Sequence, residues 1–519
     1  MEHPPGTSPS QDKAQMASRR KEERAGERTD RRWSRTSQLP SSQSGDGKMA
    51  AQLRRDSGML LLEALSQPSG QRPVCLKLPP ETRLLCAQWS SPVGTMMQRA
   101  LFRRSARLAQ CASALEVSLG QSLVQERPMS SVTIPPPACM LRPLEAPLRH
   151  LFGPGPSNVP PRILAAGGRP IIGHLHPEMY EIMNDIKKGI QYVFQTQNNM
   201  TIAMSGSGHA AMECAVFNTV EPGESVVVAV NGIWGERVAE IAERMGANVH
   251  RMEKSPGGYF SNKEIEQVIE KHKPVLFFLT HGESSAGLCH PVDGIGDICQ
   301  KHNCLFLVDT VASLGATPIF MDQQKIDILY TGSQKALNAP PGTAPISFNE
   351  RACQKMFNRK TKPVSYLFDM THLSNYWGCD RKPARVYHHT GPVSGFFALR
   401  ESLAIVAEKG LEASWRKHKE VASYLYRGLE DLGLKLFIPD RDLRLPSVTT
   451  IAIPEGYDWR EMLMYIMKNH QMEMTGGLGP SIGMVMRIGL MGYNCEIHKA
   501  DMALAALADA LKNCKKSKA

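Results

Sequence analysis

Leu305-Phe306-Leu307-Val308-Asp309 is an unbroken apolar run closed by an acid, and Ile328-Leu329-Tyr330-Thr331 is a second run that leads into Gly332-Ser333-Gln334-Lys335-Ala336-Leu337. Short apolar runs without polar alternation predict strands buried on both faces, as in a parallel sheet covered by helices. Ligands in such sheets bind beyond the carboxyl ends of the strands. A lone strand-end Asp is ordinarily a turn former, and a lone Lys is ordinarily a solvated surface residue. Here two neighbouring strands deliver an acid and an amine to one sheet edge, and that pairing changes both readings.

The pattern extends in both directions. Thr201–Ser205, Ser225–Val230, Pro274–Thr280 and Ala344–Phe348 read as further strands, with helices over Ala210–Val220, Glu236–Met245 and Ile295–His302. Strands alternating with helices indicate βαβ units. From about Glu408 the character changes to long amphipathic helices, Trp415–Leu432 and Trp459–His470, with a strand at Val448–Ile453 between them. The expected fold class is α/β: a large domain over 148–409 with a mainly parallel sheet, then a smaller C-terminal α+β domain over 410–519.

Pyridoxal phosphate demands of its protein an amine to carry it and a carboxylate to keep its ring nitrogen protonated; Lys335 and Asp309 supply both. The phosphate needs a cradle. Ser205-Gly206-Ser207-Gly208-His209 joins a strand to a helix, where small residues let backbone N–H groups approach an oxyanion. It departs from GxGxxG, which argues against a dinucleotide. Trp234, in Asn231-Gly232-Ile233-Trp234-Gly235, can stack on a flat ring or serve as core.

The chain has 519 residues, 42% hydrophobic and 21% charged, with a formal charge of +11. The charge excess is concentrated ahead of the enzyme-like region: residues 1–128 hold 20 Lys and Arg against 12 Asp and Glu. A nucleic-acid binder carries its basic patch on a folded face, so no nucleic-acid partner is expected. Residues 1–95 read as a disordered leader. Gln98–Leu115 is Arg-rich and free of acid, which makes 96–128 transit-like and predicts a mitochondrial address, with translation starting near Met96 or Met97. Residues 129–147 read as an N-terminal arm. The 12 cysteines include no CxxC pair, pointing to a reducing compartment, and Cys214 and Cys304 read as core. His388 and His389, as strand neighbours, are expected to point apart, and no metal site is expected. No run is long and apolar enough to suggest a membrane span.

The order of Gly153-Pro154-Gly155-Pro156-Ser157-Asn158, Ser205–His209, Asn231–Trp234, Thr280-His281-Gly282-Glu283-Ser284-Ser285, Val308–Ser313, Gly332–Gly342 and Tyr387-His388-His389-Thr390 resembles the class V aminotransferases, from about Pro135 to the C-terminus. The resemblance implies a fold-type I pyridoxal-phosphate transferase that moves an amino group from alanine to glyoxylate, giving pyruvate and glycine, and between serine and pyruvate, as in glyoxylate detoxification. It also implies roles. Lys335 would carry the cofactor and shift the proton; Asp309 would pair with the ring nitrogen and Trp234 would stack on the ring. Ser207, Gly208, His209 and Gln334 would bind on the phosphate side, and Ser284 would lie near cofactor and substrate. Arg487 would hold the substrate carboxylate. Tyr387 and Thr390 would reach the partner subunit's phosphate and Gly153 its substrate pocket, making the protein a homodimer with shared active sites. Lys516-Ser517-Lys518-Ala519 resembles a peroxisomal signal with Ala in place of Leu. A cysteine desulfurase stays open as an alternative that would need a catalytic cysteine on a mobile loop.

Overall fold

The computed structural model describes residues 133–514. The leader at 1–95, the transit-like segment at 96–128, the start of the arm up to 132 and the C-terminal Lys516–Ala519 signal lie outside the described residues.

Seven strands form the main sheet: β1 (Met200–Ser205), β2 (Ser225–Val230), β3 (Asn248–Glu253), β4 (Leu276–Thr280), β5 (Leu305–Asp309), β6 (Ile328–Tyr330) and β7 (Thr343–Phe348). Their spatial order is β1-β7-β6-β5-β4-β2-β3. Every residue of β4 and β5 is buried, so both sheet faces are covered. All neighbours pair in parallel except β7, which runs antiparallel to both β1 and β6. The sheet is therefore mainly parallel, with one reversed strand that the alternation of elements did not reveal. The link from β6 to β7 holds Lys335 and contains no helix, and a parallel crossover is usually made by one. The chain instead turns back beside β6.

Helices flank the strands. Helix α1 (Pro177–Phe194) packs on α6 (Val393–Lys409). Helix α2 (Gly208–Thr219) follows β1, α3 (Ile233–Arg244) follows β2, and α4 (Asn262–His272) and α5 (Ile295–Lys301) precede β4 and β5. Helix α4 starts in a capping box, with Ser261 accepting from the Glu264 N–H and Glu264 accepting from the Ser261 N–H.

A second core gathers Val421, Leu425 and Leu429 of α7 (Leu411–Asp431), Met462 and Ile466 of α8 (Trp459–His470), and Ala503 and Leu507 of α9 (Ile497–Asn513). It packs beside a three-stranded antiparallel sheet of β8 (Val448–Ala452), β10 (Val485–Gly489) and β9 (Thr475–Gly476), in that order. Contacts run between the segments 148–409 and 410–519. Phe152 belongs to the second core, and His150–Leu151 pairs with Met472–Glu473. Helix α7 has Leu411 in the first core and Leu425 in the second. Among the described residues no helix is long and apolar enough to cross a membrane.

Candidate active site

Parallel pairing sets Asp309, the last residue of β5, opposite Tyr330, the last of β6. Asp309 is only 2% exposed. Its Oδ1 accepts from the Val311 N–H at 2.7 Å and its Oδ2 from the Tyr330 hydroxyl at 2.8 Å. Burial pushes its carboxyl up to about 6, against the pull of those two donors and of Lys335. Lys335 lies in the loop after β6 and is 9% exposed. Its Nζ donates to the Pro154 carbonyl at 2.6 Å. Burial, then the charge of Arg487, lowers its amine to about 8, while Asp309 and Glu473 pull the other way. Gly155 makes this approach possible: its φ is +114°, and a Cβ there would stand 2.6 Å from Nζ.

Lys335 and Asp309 share a cavity of about 140 Å³ with Ser207, Gly208, His209, Met212, Trp234, Val311 and Gln334. One end holds the acid and the amine, and the other is the N-terminus of α2. Ser207 caps that helix without a side-chain hydrogen bond to it, which leaves the hydroxyl and the first amides for an anion. Gln334 Oε1 is buried with no partner. A Cβ on Gly208 would meet Val311 at 3.0 Å, so the glycine lets the helix start close to the Asp309 loop. Trp234 forms a wall and its Nε1 donates to Ser284 Oγ at 3.1 Å. The His209 ring stands edge-on to it, 5.6 Å away, and burial followed by Arg237 lowers the His209 pKa. This donor set suits a flat ring with a basic nitrogen at one end and an anion at the other. A larger cleft of about 550 Å³ near Leu337 and His418 is lined by Arg162, Glu408 and Lys417, but these charged side chains are solvent-exposed, unlike the buried Asp309 and Lys335.

Arg487, in β10, is 5% exposed. Its Nε donates to Gly476 O at 2.6 Å and Nη1 to Ser284 O at 3.3 Å, leaving Nη2 unbonded among the described residues. The structure therefore gathers Ser207, Gly208, His209, Trp234, Ser284, Asp309, Gln334, Lys335 and Arg487 at one place. Gly153 lies nearby, where a Cβ would meet Glu473 at 3.2 Å, next to the Pro154 carbonyl that receives Lys335 of the same chain. Tyr387 and Thr390 do not line this cavity; Tyr387 is 56% exposed and Thr390 is also exposed. One expectation is corrected: His388 and His389 occupy an irregular segment rather than a strand, and their Nδ1 atoms are 2.8 Å apart.

Sequence reasoning assigned no role to three neighbours. Tyr330 orients Asp309, the Pro154 carbonyl docks Lys335, and Glu283 is fully buried behind Trp234. Glu283 accepts from the Ser285 N–H at 2.9 Å and the Trp234 N–H at 3.3 Å, and burial raises it to about 7. An ionisable residue inside the otherwise uncharged run Leu276–Ala286 was the available signal for Glu283. The Pro154 contact left none, because it joins residues 181 apart in sequence.

The acid–amine pair, the helix-terminal cradle and the buried arginine all fall inside residues 151–497, the span matched by the class-V aminotransferase family profile. The chain is a class-V aminotransferase. Among its relatives is the alanine–glyoxylate aminotransferase of Felis catus, 57% identical over 385 residues, covering 74% of this chain and 93% of that protein. The (S)-ureidoglycine–glyoxylate transaminase of Bacillus subtilis is 34% identical, covering 70% and 91%. The crystal structure of an alanine–glyoxylate aminotransferase from Nostoc sp. aligns with a TM-score of 0.70 at 42% identity, covering 71% of this class-V aminotransferase and 97% of that chain.

Proposed function

We propose that this chain transfers the amino group of alanine to glyoxylate, giving pyruvate and glycine, with serine and pyruvate as a second pair, in glyoxylate detoxification. The observation that carries it is the buried Asp309–Lys335 pair on one sheet edge, with Arg487, the one buried arginine among the described residues, bonded to the Ser284 carbonyl beside it. The high identity to alanine–glyoxylate aminotransferases supports the substrate pair. One arginine for one carboxylate favours short monocarboxylates over dicarboxylates.

Pyridoxal phosphate, when bound, supplies an electron sink that lets a proton leave the α-carbon of an amino acid. Asp309 would hold the ring nitrogen in its charged form, and Trp234 would bound the ring. Ser207, Gly208, His209 and Gln334 would hold the phosphate side. Lys335 Nζ would carry the cofactor, then remove and return the proton on the amino acid's α-carbon. An amine lowered to about 8 is substantially neutral near that pH, the form able to take a proton. Arg487, with Nη2 unbonded, would receive the substrate carboxylate. Ser284, linked to both Trp234 and Arg487, would keep the ring wall and the carboxylate receiver in register.

Tyr387 and Thr390 are assigned to the partner subunit's cofactor phosphate and Gly153 to its substrate pocket, in a homodimer. The acid-free stretch Gln98–Leu115 supports a mitochondrial address and Lys516–Ala519 a peroxisomal one; fractionation with N-terminal sequencing would distinguish them. A desulfurase is disfavoured because no cysteine lines the cavity, and burial pushes the Cys289 thiol up to about 12.

The test is pyruvate formation from alanine and glyoxylate by the full chain with added cofactor. Lys335→Ala is expected to lower the rate by about 10²–10⁴-fold, the range for loss of a positioned acid–base group. Equal rates for the two proteins would reject the assignment.

A further inference from the structure

In the segment Tyr387-His388-His389-Thr390 the outer residues are exposed and the two histidines turn inward. They complete an unbroken chain of hydrogen bonds. His388 Nε2 lies 3.1 Å from the Tyr366 carbonyl, His388 Nδ1 lies 2.8 Å from His389 Nδ1, and His389 Nε2 lies 2.6 Å from Ser205 Oγ.

Elementary hydrogen-bond chemistry assigns the protons. A carbonyl can only accept, so His388 Nε2 carries the N–H and donates. In a neutral ring His388 Nδ1 is then an acceptor, and His389 Nδ1 must donate to it. That leaves His389 Nε2 as an acceptor, so the Ser205 hydroxyl donates to it. Every bond in the chain has one permitted direction. Burial lowers the pKa of both rings, His389 to about 4 with further help from the charges of His388 and His174, so the neutral register holds at ordinary pH. His372 and Asp369 also face His388, and Tyr376 flanks His389. The Tyr366 ring is stacked on His388 at 5.0 Å with planes 8° apart, which fixes the far end.

Ser205 is the last residue of β1. Gly206, with φ +146°, and Ser207 then make the turn into α2, the proposed phosphate cradle. A turn through a left-handed glycine gains little rigidity from its own backbone, and Gly206 is otherwise tied by one bond from its N–H to Gly342 O at 2.9 Å. We propose that His389 is a positioning residue for this cradle: through Ser205 it clamps the turn Ser205–Ser207, and through His388 it joins that turn to the segment bearing Tyr387 and Thr390. The structure thus ties the cradle of one site to the two residues assigned to the partner's phosphate. This inference rests on the cofactor reading above.

The test measures equilibrium dissociation constants of the cofactor-free full chain for pyridoxal phosphate and for pyridoxal, which lacks the phosphate. His389→Phe keeps the ring volume and removes both nitrogens. It is expected to weaken pyridoxal phosphate about tenfold, equivalent to about 1.4 kcal/mol, and to leave pyridoxal unchanged. Ser205→Ala should give the same selective loss, and the double variant no more than either alone. His389→Gln, whose amide can accept from Ser205 and donate to His388, should retain most of the affinity. Equal weakening of both ligands by His389→Phe and Ser205→Ala would mean general disruption and would overturn the proposal, as would unchanged affinity for pyridoxal phosphate. If the unsubstituted chain bound neither ligand, the cofactor reading would fall and this proposal with it.

Discussion

At Asp309 function and stability pull in opposite directions. Burial holds its carboxyl near 6 rather than at 3.8, so the fold favours the protonated acid. The stabilisation from that protonated form is fully present below about pH 4 and is lost as pH rises through about 6. A shift of this size corresponds to about 3 kcal/mol. Asp309→Asn keeps the shape and can retain the bonds to the Val311 N–H and the Tyr330 hydroxyl while removing the charge. The cofactor-free variant should therefore melt above the parent at pH 8, by up to about 3 kcal/mol of stability, and the gap should close at pH 4. Thermal unfolding at the two pH values checks this; a gap of the same size at both would show that charge burial is not its origin. In the transamination assay the same variant should lose activity by about 10²-fold or more, because the residue proposed to hold the ring nitrogen charged is gone.

Among the elements, the strand–turn–helix joints place the chemistry. Helix α2 opens beside Asp309 because Gly208 admits Val311, and α3 brings Trp234 into the cavity because Gly235 lets it settle on β2. A Cβ on Gly235 would lie 2.4 Å from the Ala229 carbonyl, a backbone atom with no rotamer to relieve the contact. Gly235→Ala should therefore cost about 2 kcal/mol or more, within the range for overpacking. It should also displace Trp234, with weaker cofactor binding beside a lower melting temperature. A variant that melted and bound cofactor like the parent would mean that α3 can slide on β2 without consequence. The reversed strand β7 belongs to the same scale: it returns the chain beside β6 after the Lys335 loop and pairs Thr343 with Ser205 next to the cradle.

For the whole molecule, residues assigned to a partner's site predict complementation. A dimer of Lys335→Ala chains lacks the amine in both sites, and a dimer of chains carrying Tyr387→Ala with Thr390→Ala lacks the phosphate contacts in both. In a mixed dimer one site collects both defects and the other has neither. After random exchange half the dimers are mixed and half their sites are intact, so about one quarter of the parent activity should return at limiting cofactor. Activity equal to the sum of the two separate proteins would mean that Tyr387 and Thr390 serve their own chain or none. The amino-acid sequence by itself determined the α/β class, the strands ending in Asp309 and preceding Lys335, and the candidate residues, because apolar runs and motif order are local and survive in one dimension. The reversal of β7, the mixing of the two cores through Phe152 and α7, the burial of Glu283, the docking of Lys335 on Pro154 and the inward turn of His388–His389 were decided only by the tertiary structure. Each depends on contacts between residues distant in the chain, or on the loss of solvent that only a closed fold imposes.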